Sequence, residues 1–182
     1  MSVWELRCAR INDFAQLVAK DPEDVRSGMF STKGGVQDWT HRPAVEFFAE
    51  PRKKVQKPRA NVIHMKPGAL VLDVSAKLAL GSFLSRFGQL LELHHEGEVL
   101  WFYNVTNLVG CVDLEKSRKR PSGTIAMEAF DESQVPPEAA VFKDPVMAHG
   151  RIYVNDAGRV EIERIVAHAG LTGIECGTPL PF

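Results

Sequence analysis

The chain has 182 residues, 45% of them hydrophobic and 25% charged, with 22 Lys/Arg against 23 Asp/Glu. A chain this long buries a core without disulfide staples or a structural metal, and its near-neutral balance argues against a polyanion partner such as nucleic acid, which draws a clear basic excess. The charge is mildly polarised: residues 1–60 hold 11 Lys/Arg and 8 Asp/Glu, and residues 61–182 hold 11 and 15.

Met1-Ser-Val-Trp-Glu-Leu-Arg-Cys has no basic run followed by an apolar one, so no signal peptide is expected. No stretch approaches the roughly 20 apolar residues of a membrane helix. The expectation is a cytoplasmic protein without membrane contact. Cys8, Cys111 and Cys176 are odd in number and far apart, which reads as buried free thiols in a reducing compartment.

Residues 2–9 alternate apolar and polar, the pattern of a half-buried strand. Residues 11–19 read as a short helix with Phe14, Leu17 and Val18 on one side. Residues 21–43 are rich in turn formers, including Gly34-Gly35, and read as a long loop; Val45-Glu-Phe-Phe-Ala follows as a strand. The basic run Arg52, Lys53, Lys54, Lys57 and Arg59, bracketed by Pro51 and Pro58, reads as a linker or exposed loop.

Residues 69–72 form a strand and 74–87 a helix. Leu80, Phe83, Leu84 and Phe87 share one face at helical spacing. Ser75 is the expected cap and Gly88 the expected stop. Gly81 weakens the middle by about 1 kcal/mol relative to Ala. Residues 89–95 and 98–105 pair as a hairpin through Glu96-Gly97. Val99, Trp101, Tyr103 and Val105 line one face of the second strand, Leu100 and Phe102 the other. With both faces apolar, that strand is central.

Strands are expected at 109–114, 124–130, 139–142 and 151–154, with a basic turn at 118–123 and a loop at Val135-Pro-Pro-Glu. Asn155 or Asp156 caps a helix to Ala169, ended by Gly170, and Leu171–Cys176 closes the chain as a strand. The fold class is α+β: a mixed, mostly antiparallel sheet, two principal helices packed on it, and a loop-rich N-terminal part (1–60) before a core (61–182) in a single domain. Residues 69–93 and 151–176 form two strand–helix–strand units, a weak internal echo.

Chemistry is sparse. His94 and His95 are neighbours on a strand and point to opposite faces, so they do not readily share one ion; the other histidines lack ligand spacing. There is no G-x-S-x-G elbow, no catalytic-cysteine signature, and Lys33-Gly-Gly-Val is not a P-loop. No catalytic residue, metal or cofactor is assigned. Asp113 and Glu115, two apart on a strand, would share a face. Trp39 and Arg42 sit in the long loop, where tryptophan and arginine are favoured interface anchors; the competing reading folds Trp39 down as a lid on the core.

Several segments occur in a suggestive order: Ala69-Leu-Val-Leu-Asp-Val-Ser-Ala-Lys, Phe87-Gly-Gln-Leu-Leu-Glu-Leu, Trp101-Phe-Tyr-Asn-Val, Cys111-Val-Asp-Leu-Glu-Lys-Ser and Ala169-Gly-Leu-Thr-Gly-Ile-Glu. As a set, over about residues 69–176, they resemble a family of bacterial immunity proteins of polymorphic-toxin systems, first catalogued as a domain of unknown function. The resemblance implies a protein inhibitor that binds a cognate toxin or secreted effector encoded nearby, type VI effectors included, and acts in the cytoplasm. Trp39, Arg42, Asp113 and Glu115 are the candidate toxin contacts. A homodimer is left open. Two other readings stand beside this one: a non-catalytic adaptor or structural module of a secretion system, and an enzyme with a dispersed Cys/His/Asp site.

Overall fold

The computed structural model describes residues 2–49 and 56–182. In chain order it contains β1 (Val3–Cys8), β2 (Leu17–Ala19), α1 (Pro22–Arg26), β3 (Val45–Phe47), β4 (Val62–Ile63), β5 (Leu70–Leu72), α2 (Val74–Leu84), β6 (Gly88–His95) and β7 (Glu98–Val105). The rest comprises β8 (Val112–Lys119), β9 (Ile125–Phe130), β10 (Val141–Phe142), β11 (Tyr153–Asn155), α3 (Asp156–Ala169) and β12 (Ile174–Leu180). The fold is α+β, and every pairing between these strands is antiparallel. The strands form not one sheet but two four-stranded ones, ordered β10-β11-β1-β12 and β4-β5-β7-β6, and two pairs, β2-β3 and β8-β9.

The two strand–helix–strand units have the same plan. β5 and β6 flank β7, and β11 and β12 flank β1. Each unit therefore straddles one antiparallel strand, a split arrangement in which the helix carries the chain across a strand from elsewhere in the sequence, β7 in one unit and β1 in the other. The doubly apolar β7 is central, as its sequence requires. Its Tyr103 and Val105 join a core shared by both four-stranded sheets and both long helices, with Leu6, Leu72, Leu80, Leu84, Val154 and Ile162. Its Leu100 and Phe102 face a second core, completed by Leu17, Phe30 and Val45 from the N-terminal third. Phe102 is fully enclosed, a burial worth roughly 1.5–3 kcal/mol. A third cluster gathers Val3, Phe130, Phe142 and Tyr153.

Several local expectations are corrected. Residues 11–19 are not a helix; a turn leads into β2, because Leu17 and Ala19 pair with Phe47 and Val45 across the sheet. The long loop holds one short helix, α1, capped by Asp21. Asp73, not Ser75, caps α2 by accepting from the Ala76 N–H at 2.8 Å. The helix stops at Leu84, and Gly88 begins β6 instead of ending the helix. A Cβ on Gly88 would lie 2.3 Å from the Asn104 carbonyl oxygen, so glycine serves close strand approach there. Residues 109–111 precede β8, which runs on to Lys119, so the basic turn is shorter than expected. The Glu96-Gly97 turn has positive φ at both residues (46° and 88°), the geometry of a two-residue hairpin that matches strand twist. Gly170 ends α3 in the left-handed region as expected, and Asn155 is its cap.

Candidate functional site

The long loop is a pinned strap. Trp39, partly buried, packs against Phe30 and Phe102 with ring centroids 5.6 and 5.8 Å away. Its indole N–H donates to the Met29 carbonyl at 3.0 Å. Two lysines hold the strap from beneath. Lys66 Nζ donates to the Phe30 carbonyl at 2.6 Å, and the fully buried Lys143 donates to the Thr32 and Gly68 carbonyls. Burial, with the neighbouring Lys66 charge, brings the Lys143 ammonium down to about 8. Arg42, at the far end of the strap, pairs with Glu92 of β6. Trp39 therefore closes the second core, while Arg42 remains half-exposed at the surface.

Asp113 and Glu115 lie on a different element, the β8–β9 arm. Glu115 falls inside an irregularity of β8 between Asp113 and Arg118, so the regular alternation that would put the two acids on one face is interrupted. Asp113 makes the bulge: its Oδ1 accepts from the N–H groups of Glu115 and Lys116 at 2.9 and 3.0 Å. The Lys116 N–H, helped by that of Glu115 and by the Lys116 ammonium, holds the Asp113 carboxyl below its ordinary range. Ser117 completes the bulge by donating to the Asp113 carbonyl and accepting from Ala129 N–H. Glu115 is exposed. No hydrogen bond or ion pair joins the Trp39–Arg42 pair to the Asp113–Glu115 pair among the described residues.

The base of the arm is tied down. Asp144 accepts from the Cys111 and Val112 N–H groups, both at 2.8 Å. Glu128, 1% exposed, accepts from Tyr153 Oη at 2.9 Å and pairs with Arg151 at 2.7 Å. Arg151 in turn reaches Glu5 at 2.6 Å. The outer half is exposed: Leu114 and Met127 are 47% and 37% accessible. Residues 116–127 carry Lys116, Arg118, Lys119 and Arg120 and no acid. This cationic tip was read from sequence only as a turn, since its reach depends on β8 extending to Lys119.

A cavity of about 180 Å³ brings together residues that the enzyme reading needs, including Cys8, His64 and Lys66. Their electrostatics run against nucleophilic use. Burial pushes the Cys8 thiol up to about 12 and moves His64 and Lys66 down, each toward its neutral form. No hydrogen bond links His64 to the thiol among the described residues. Cys111 is likewise raised to about 12 by burial and the Asp144 and Asp131 charges, and Cys176 to about 11 by burial. His94 is exposed and His95 buried. The His95 ring lies between the Val45 carbonyl and Arg59, so Nδ1 carries the proton and Nε2 accepts. Among the described residues, no group of three His, Cys, Asp or Glu side chains is arranged to hold a metal ion.

A second cavity, about 500 Å³, opens between Phe47, Arg59, Asp73, Val74 and the start of β7. Arg59 stacks over Phe47 at 4.3 Å and meets Glu98 at 3.4 Å. Arg52, Lys53 and Lys54 of the basic run lie outside the described residues. No helix among the described residues is long and apolar enough to cross a membrane. No protein-family model matches the chain, and a comparison with curated proteins returns no match.

Proposed function

We propose that this protein is an immunity protein that binds a cognate bacterial toxin or effector in the cytoplasm and neutralises it without catalysis. The observation that carries the reading is the β8–β9 arm. An anchored base with a cationic, partly apolar, exposed tip suits docking onto an acidic protein surface. Buried polar anchors at the base, Glu128 and Asp144 above all, hold the arm in place before binding, which lowers the ordering cost of association. The order of segments that resembles the immunity family supports the same reading. Charged tips of this kind act mainly on the rate of encounter.

The test is co-expression of the toxic region of the neighbouring gene with and without this protein, scored by survival and by recovery of a complex. Rescue that tracks complex formation supports the reading. Reversing two of the four tip charges, Arg118→Glu with Lys119→Glu, should weaken the complex by about tenfold or more, equivalent to about 1.4 kcal/mol, and flatten its salt dependence. Toxicity with neither rescue nor binding overturns the proposal. Binding of duplex or single-stranded nucleic acid through the same charges would replace it.

A further inference from the structure

Among the described residues, the β4-β5-β7-β6 sheet has a gap beside the start of β7. β5 is only three residues long, and the chain leaves the sheet at Asp73 to begin α2. Leu72 is paired with Trp101 on one side and with Val62 on the other. On the β7 side residues 98–100 overhang; on the β4 side the chain bends at Asn61, and Arg59 and Ala60 line the cavity. The cavity of about 500 Å³ lies between these two sides, with Asp73 and Val74 at its closed end.

The register shows which backbone groups face the gap. A two-residue turn makes His95 and Glu98 a hydrogen-bonded pair, and the pattern then alternates along β7. Val99, Trp101 and Tyr103 therefore direct N–H and C=O away from β6. Trp101 and Tyr103 meet Leu72 and Leu70 there; the backbone of Val99 meets no partner among the described residues. On the opposite wall, Asp73 N–H donates to the Asn61 carbonyl at 2.9 Å. Asn61 thus faces β5, and beyond the bend there Arg59 lines the cavity. The missing element is about three residues, or roughly 10 Å, of extended chain.

Side chains on both faces of the gap are apolar. Val74 and Trp101 stand on the α2 side, and Phe47, Ile63 and Leu100 on the side of the second core. The two charges at the mouth, Arg59 and Glu98, already pair with each other, so an uncharged guest complements the site. A small apolar molecule would leave the Val99 N–H and C=O unsatisfied, which an extended peptide does not. The exposed strand β8 of a second copy carries Lys116, Arg118 and Lys119 and does not suit an apolar gap.

We infer that the gap is a strand-acceptor site, into which a partner protein inserts an uncharged extended segment beside Val99, completing the sheet. Main-chain bonds supply affinity and the apolar faces select alternate side chains, as in other strand additions. That the segment comes from a toxin rests on the reading above; the acceptor itself does not.

The experiment is amide hydrogen exchange on the full chain by NMR, with the capped peptide acetyl-Val-Thr-Val-Thr-Val-amide as the guest. In the free protein the Val99 amide should exchange at least tenfold faster than those of Leu100 and Phe102. The peptide should slow Val99 at least tenfold and shift Arg59 and Val74. Val74→Trp, placed at a position 56% exposed so that the fold tolerates it, should fill the gap and abolish the response with an unchanged Tm. A protected Val99 in the free protein, or a peptide that leaves Val99 unaffected, overturns the site. Protection that rises with protein concentration alone assigns the gap to a second copy and overturns the partner segment. No toxin enters these readouts. A protein that rescues cells but shows no Val99 response keeps the immunity reading and loses the acceptor, and the reverse result does the opposite.

Discussion

The two strand–helix–strand units follow one plan and finish differently. In the unit 151–176, the straddled strand β1 begins at Val3, directly opposite Asn155, where β11 gives way to α3. Nothing overhangs, and the junction is sealed: Ser2 N–H and the Trp4 indole N–H both donate to Asp156, at 2.7 and 2.8 Å. In the unit 69–93, the straddled strand β7 starts three residues beyond the end of β5, and the junction stays open beside Val74. The helices differ to match. α3 is amphipathic, with Arg159–Glu163 and Glu161–Arg164 pairs on its outer face. α2 has no charged residue except Lys77 and leaves Val74 and Leu78 56% and 75% exposed. Both helices expose a valine, Val160 in α3 and Val74 in α2, but among the described residues only the α2 junction borders a cavity.

The caps test this contrast most strongly. Asn155 bonds Gly158 N–H, Ala140 N–H and the Pro136 and Glu138 carbonyls at once, whereas Asp73 bonds Ala76 N–H and the Asn61 side chain. Asn155→Ala should cost about 3–5 kcal/mol in urea unfolding, since it strands several buried backbone groups. Asp73→Ala should cost about 1 kcal/mol. Equal losses would remove the distinction between a sealed and an open junction.

Helix glycines give the next largest effect, with opposite signs. A Cβ on Gly158 of α3 would lie 2.7 Å from the Ala140 carbonyl oxygen, but for one on Gly81 of α2 the nearest atom would be Leu90 Cδ1, at 3.4 Å. Gly158→Ala should destabilise by about 1–3 kcal/mol. Gly81→Ala should stabilise by up to about 1 kcal/mol through helix propensity, seen as a rise in Tm. If Gly81→Ala lowers Tm instead, α2 is packed as tightly as α3.

The smallest expected effect is in pH dependence. The Trp4 indole N–H, with the Ser2 N–H and the Arg159 charge, holds Asp156 below its ordinary value of 3.8. A carboxyl depressed in the folded state adds stability that is present above the unfolded value and lost as pH falls through the folded one. The sealed junction should therefore weaken below about pH 3.8, and Asp156→Asn should remove that part of the acid dependence. Trp4 fluorescence against pH reports it locally, and an Asp156→Asn titration superimposable on the parent would contradict it.

Much of this was legible in the sequence where the deciding interactions are local. The Glu96-Gly97 turn, the doubly apolar β7, α3 between Asn155 and Gly170, and both strand–helix–strand units follow from neighbouring residues. What failed depends on distant partners. Ile11, Phe14, Leu17 and Val18 fit a helix until Phe47 and Val45 claim Leu17 and Ala19 for a sheet. Gly88 fits a helix stop until Asn104 approaches it. Trp39 could be an anchor or a lid until Phe102, 63 positions away, decides for the lid. Asp113 and Glu115 fit one face of a regular strand until the pairing with β9 imposes a bulge, which gives Asp113 a shaping role and leaves Glu115 exposed. The acceptor gap had no signal, because it arises from unequal strand lengths and not from any residue type.

The position of β1 between β11 and β12 has a further consequence for how the chain is made. Cys8 ends β1 and Tyr153 begins β11, 145 positions later. At roughly 5–20 residues per second of synthesis, β1 waits on the order of 7–30 s for either of its neighbours, with Val3, Leu6 and Cys8 lacking their final burial. The hairpin β6–β7 pairs within the time needed to synthesise about twenty residues. Translation therefore builds the open unit first and the sealed one last, and the early strand is the segment of the nascent chain most in need of shelter by a chaperone.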